Sequence, residues 1–139
     1  MKPAWAVFFL LTGLIGSAQP TATMRELMLD LIHPASNEIL LFVNRGTPKT
    51  DAEWASVRRS ALTLQESGNL LAQRNVQKDW VMDAKMLAGV GSAAYKAAQA
   101  KDFSALAALT ESLDASCTTC HKQYRPNVFP HSGTTEGSK

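Results

Sequence analysis

Cys117-Thr118-Thr119-Cys120-His121 holds both cysteines of the chain and sets an imidazole directly beside the second thiol. On a helix His121 follows Cys117 by four residues, so the two share one face. Two thiols at this spacing can bond the two vinyl groups of one porphyrin, and the adjoining imidazole can then ligate its iron. The run is therefore expected to attach one c-type haem covalently. Other chemistries fit less well. A thioredoxin-like pair would open a helix after a strand, and no alternating pattern precedes Cys117. A zinc site calls for four Cys or His ligands, and only His33 and His131 remain, without finger-like spacing. A disulfide across two residues inside one helix has poor geometry and gives His121 no role.

The first residues bear on where this chemistry happens. Lys2 supplies a positive start, Ala4 to Ile15 is apolar, and Gly16-Ser17-Ala18 offers small residues before Gln19. Residues 1–18 read as a signal peptide cleaved near Ala18, short of the ~20 apolar residues a membrane span needs. Export and haem attachment agree, because c-type haem is joined to protein on the far side of the bacterial inner membrane. A periplasmic location follows. Removing the leader takes Lys2 away, so the formal charge falls from +2 to +1, and no strong field invites nucleic acid. The rest of the 139-residue chain suits one domain, 19–125. Residues 126–139, rich in Gly, Ser and Thr after Pro126, read as a flexible tail.

Four helices must position the site. In the first, over residues 21–44, Met24, Leu27, Met28, Leu31, Ile32, Ala35 and Ile39 form a stripe at helical spacing. Pro34 cannot donate a backbone hydrogen bond, so a kink or break is expected around Ile32 and His33, and Gly46 is suited to a left-handed cap. Thr50-Asp51-Ala52-Glu53 has the form of a capping box and opens a second helix with Trp54, Val57, Ala61, Leu64, Gly68 and Leu71 inward. Asn75 can cap a third, with Trp80, Ala84, Leu87, Gly91, Ala94 and Ala98 inward. Its many small residues either permit close helix approach or leave room for a flat ligand. Asp102 caps the fourth, which carries Phe103, Leu106, Leu109, Leu113, Cys117, Cys120 and Tyr124 inward. Short connections make neighbours antiparallel, so the expected fold is all-α, an antiparallel four-helix bundle.

The attachment run continues as Cys117-x-x-Cys120-His121-x-x-Tyr124-Arg125 near the C-terminus, on the last of four helices. In this it resembles the cytochrome c prime and cytochrome c-556 family. The likeness covers helix order over the whole mature chain, and its specific identities lie in residues 117–125. It implies that His121 is the proximal iron ligand, that Arg125 flanks the proximal pocket, and that the first helix covers the other face of the iron. Family members with a methionine there are electron carriers, whereas those with leucine leave the iron five-coordinate and bind nitric oxide or carbon monoxide. The family's arginine four residues before the distal residue corresponds to Arg25 before Leu29, but Met28 and Met24 stand beside that register.

Thioether sulfur is a soft donor that suits haem iron, which favours Met28 as the distal ligand, with Met24 next and Met82 and Met86 behind. His33 beside Pro34 is expected at a kink or the surface. Arg25, Arg58 and Arg59 are candidate partners for haem propionates, Arg58 and Arg59 more plausibly being solvated surface. Tyr124, Trp54 and Trp80 are expected as core against the haem. The function expected is electron transfer with redox partner proteins in the periplasm, by a carrier that is not an enzyme. The alternative is a five-coordinate protein that binds a small gas ligand. A peroxidase would need a distal His and Arg, and His33 with Arg25 is spaced eight apart across the proline-disturbed turn. A homodimer, common in the resembling family, is a further expectation.

Overall fold

The computed structural model describes residues 21–74, 76, 77 and 79–125; the expected leader 1–18, Asn75 as a helix cap, and the tail 126–139 lie outside the described residues. The described residues are all-helical and form four mutually packed helices. Helix α1 (24–44) passes through three windings, an α-turn at Met24–Glu26, a π-helix at Leu27–Ile32 and an α-helix at His33–Asn44. Thr23 and Glu26 start it with a capping box. The Thr23 hydroxyl accepts from the Glu26 N–H at 3.2 Å, and the Glu26 carboxylate accepts from the Thr23 N–H at 2.7 Å.

The break expected at Pro34 takes another form. Proline lacks an N–H and its ring crowds the carbonyl four residues back, that of Asp30. Wider winding absorbs the misfit: the His33 N–H bonds the Met28 carbonyl five residues back, and the helix continues through Pro34. The π stretch also resets the inner face. Leu27 and Ile32, five apart, are both buried, whereas Leu31, expected in the stripe, is 38% exposed. Gly46 follows the helix with φ +91°, as expected of a left-handed cap.

Helix α2 (Asp51–Ala72) opens on the expected Thr50 and Glu53 capping box, and all six of its expected inward residues are buried. Helix α3 (Trp80–Ala100) starts at Trp80, several residues beyond Asn75. The Trp80 indole N–H donates to the Leu71 carbonyl at 2.6 Å, joining the end of α2 to the start of α3. At its far end Lys101 takes φ +53°, with Lys101 N–H bonding the Ala98 carbonyl and Asp102 N–H the Ala97 carbonyl at 2.9 Å. That pair of bonds is a Schellman closure, with a lysine in the position where glycine is usual.

The small residues of α3 serve close approach to α2. A Cβ on Gly68 would stand 2.6 Å from the Ala88 backbone nitrogen, and one on Gly91 would strike the Gln65 backbone and the Ala61 carbonyl. Gly89 faces open space and has no such reason. Between α1 and α2, Glu38 accepts hydrogen bonds from the Ser56 and Ser60 hydroxyls, which holds its carboxyl below the ordinary range. Helix α4 (103–124) is capped by Asp102, whose carboxylate accepts from the Ala105 N–H at 2.9 Å. It comprises Phe103–Ala108 and Thr110–Tyr124, joined by a tight turn in which Leu109 N–H bonds the Leu106 carbonyl. One apolar core runs through all four helices.

Candidate cofactor site

Cys117, Cys120, His121 and Tyr124 stand at i, i+3, i+4 and i+7 on α4 and so form one stripe along its last two turns. Beside them the bundle opens into a cavity of about 620 Å³. The end of α4 lines it with Cys120, His121, Tyr124 and Arg125, and α1 lines it with Met24, Arg25, Met28 and Leu29. Trp80 and Val76 complete the wall. A smaller cavity of about 30 Å³ lies deeper and shares Met28, Cys120 and His121, with Cys117, Ser116 and Asp83 added. Both thiols therefore face this region, and both are free and half-buried.

Burial raises the Cys117 thiol above its ordinary value, and the Asp114 carboxylate adds to the rise against an opposing hydrogen bond from Ser116. Cys120 is pushed up to about 11, by burial first and then by the charges of Asp83 and Cys117. Neutral thiols are the form these surroundings favour. His121 is shifted down by burial and by the Arg125 guanidinium, both of which favour the neutral imidazole. Tyr124 is raised, by burial first and then by the Asp83 carboxylate. Its ring meets Trp80 edge to face, centroids 4.9 Å apart at 69°, and the pair walls one side of the cavity.

Several residues singled out by sequence come together here. Met28 borders both cavities and Met24 only the larger, while Leu29 borders the larger from a side chain that is 52% exposed. Arg25 and Arg125 line the cavity from exposed positions. Others stand apart. Met82 is 67% exposed and Met86 is exposed, and neither borders a cavity although Asp83, Ala84 and Leu87 on the opposite face of the same turns do. His33 is exposed against Asn37, and Arg58 and Arg59 are exposed on α2. Trp54, expected against the haem, is buried in the core away from both cavities. Among the described residues no group of three or more His, Cys, Asp or Glu side chains is placed to hold a metal ion.

Asp83 escaped the sequence reading. It is 6% exposed on the inner face of α3, and its Oδ2 makes no hydrogen bond of ordinary geometry. A signal was present: it lies three residues after Trp80 and four before Leu87, a charged residue on an apolar stripe. Val76 and Ser116, which carry no motif, also escaped it.

Comparison of the chain with protein-family models, with curated proteins and with solved structures yields no match. The site must be judged on its own donors. A covalently held haem requires two thiols, an axial imidazole, a mainly apolar slot and cations for two propionates. Cys117, Cys120, His121, the Met28, Leu29 and Trp80 walls, and Arg25 with Arg125 fit that list.

Proposed function

We propose that this chain is a c-type cytochrome of the cytochrome c prime and cytochrome c-556 kind, an electron carrier holding one covalent haem. The observation that carries the reading is the cavity that His121 and Met28 border from two different helices. Bound haem would supply a one-electron iron couple. Cys117 and Cys120 would anchor it as thioethers, and His121 would ligate from α4. Met28, on α1, would offer the iron a sulfur donor. Arg25 and Arg125, which line the cavity, would pair with propionates by two-point hydrogen bonding. Trp80 and Tyr124 keep water from the inner wall.

An antiparallel, cytochrome-like course of the helices belongs to the same reading. Supporting it, Leu71 meets Trp80, Gly68 meets Ala88, Ala61 meets Gly91 and Asp51 meets Lys101, so residue numbers fall along α2 as they rise along α3. The export leader 1–18 makes the periplasm the compartment, with redox proteins there as partners and a homodimer as the assembly inherited from the resemblance. Among the described residues no helix is long and apolar enough to cross a membrane.

Absorption spectra of the oxidised and reduced protein test this directly. Expected are a haem spectrum that survives denaturation, a weak long-wavelength sulfur-to-iron band in the ferric form, and no uptake of carbon monoxide by the ferrous form. Met28→Ala should remove that band. A second reading has its own observation, since Leu29 borders the same cavity beside Met28. If the wild type is high-spin and takes up carbon monoxide, Leu29 covers an open iron position and the protein binds small gases.

A further inference from the structure

Asp83 stands in a place that folding alone does not favour. Its side chain is 6% exposed, and it borders the inner cavity together with Met28, Cys117, Cys120 and His121. Its Oδ2 is buried and completes no hydrogen bond of ordinary geometry, and the group that approaches the carboxylate is the Tyr124 hydroxyl, a weak neutral donor and not a cation. Among the described residues the ion pair found is Lys101 with Asp51, far along the bundle, and no described cation pairs with Asp83. Taking a carboxylate out of water without a cation or a well-formed hydrogen bond lowers stability, and an amide of the same shape would avoid most of that loss. Charges in such a place act strongly on their neighbours, because little water screens them. Asp83 already shows this reach at two side chains of α4, raising both the Cys120 thiol and the Tyr124 phenol.

We propose that Asp83 is the residue that tunes the redox potential of this site, its buried carboxylate favouring the ferric over the ferrous state of the haem bordered by Cys120 and His121. This rests on the haem reading above. Ferric iron carries one positive charge more than ferrous iron, so a fixed negative charge nearby stabilises the oxidised form and lowers the midpoint potential. Asp83 acts through its field and makes no bond to the iron. In a redox titration the mediator loses one electron and the iron gains it, with no bond made or broken at Asp83.

The test compares the full chain, expressed with haem attachment, as wild type, Asp83→Asn, Asp83→Glu and Asp114→Asn. Asp114 is an exposed carboxylate near Cys117 and reports what an ordinary surface charge does. The mass of the purified wild type is read first. If it carries no haem, the haem reading fails and takes this inference with it. With haem attached, Asp83→Asn should raise the ferrous-to-ferric ratio about tenfold at fixed ambient potential, about 59 mV for a one-electron couple. Its melting temperature should equal or exceed that of the wild type. Asp83→Glu should keep the wild-type potential, and Asp114→Asn should shift it much less. An unchanged potential in haem-loaded Asp83→Asn overturns the proposal, as does an equal shift in Asp114→Asn. Should Asp83→Asn not fold, Asp83→Ser carries the same expectation; if neither folds while Asp83→Glu does, the carboxylate is structural and the proposal is wrong.

Discussion

Two regions of this bundle use opposite packing rules. Along the α2–α3 seam, Gly68 and Gly91 let backbones touch, and Ala61, Ala84, Ala88 and Ala94 leave little space between the helices. Where the start of α1 and the end of α4 border Trp80, larger side chains stand apart around about 620 Å³. Close packing earns dispersion contacts without help, whereas an apolar cavity of that size forfeits them until something fills it. The seam is therefore held by its own close packing, and the cavity, on the haem reading proposed above, is the part whose stability depends on what fills it.

That contrast is most exposed to the double variant Cys117→Ala with Cys120→Ala. Covalent haem should be lost completely, read as mass and as colour after denaturation, while far-ultraviolet circular dichroism keeps its helical signal. Collapse of the helical signal would mean that the seam does not stand alone. Next in size, Gly91→Ala forces a Cβ into the α2 backbone and should destabilise by about 1–3 kcal/mol in denaturant unfolding, with the haem spectrum unchanged.

A pH titration probes the contact between α1 and α2. The Glu38 carboxyl is held below its ordinary value of 4.5 by the Ser56 and Ser60 hydroxyls. A depressed carboxylate contributes stability that is fully present above pH 4.5 and is lost as pH falls through the lower folded value. Glu38→Gln should therefore lower stability at neutral pH, where the contribution is present, and flatten the acid limb of stability against pH. Smallest of all, Gly89→Ala faces open space and should stabilise by up to about 1 kcal/mol, the mirror of Gly91 on the same helix.

Much of this was legible from residues alone. The inward stripes of α2 and α3 follow simple helical spacing without interruption, so period predicts burial there. Thr50 with Glu53, and Asp102, declare helix starts by side-chain chemistry that is local. Helix α1 was less legible because Pro34 forces π winding, which shifts the face by one residue and turns Leu31 outward. Trp54 could not be told from Trp80 by type; only their positions along the bundle separate the core tryptophan from the one at the cavity.

Asp83 illustrates the same boundary in the site. Its place on the stripe can be counted from Trp80 and Leu87, but that it faces the Tyr124 hydroxyl and the thiols without a cation depends on what α4 brings opposite, and no spacing on α3 encodes that. Covalent chemistry is written in contiguous residues, because the reach of two thiols and one imidazole is set within a single helical turn. The Cys117 to His121 run, the capping residues and the helical periods thus follow from the chain's own order. Which methionines border the cavities, that Arg25 and Arg125 share the larger one, and that a carboxylate is buried beside the thiols were decided only by tertiary packing. Those relations join residues far apart in sequence, and the helix crossings that bring them together are set by the sum of all side-chain contacts.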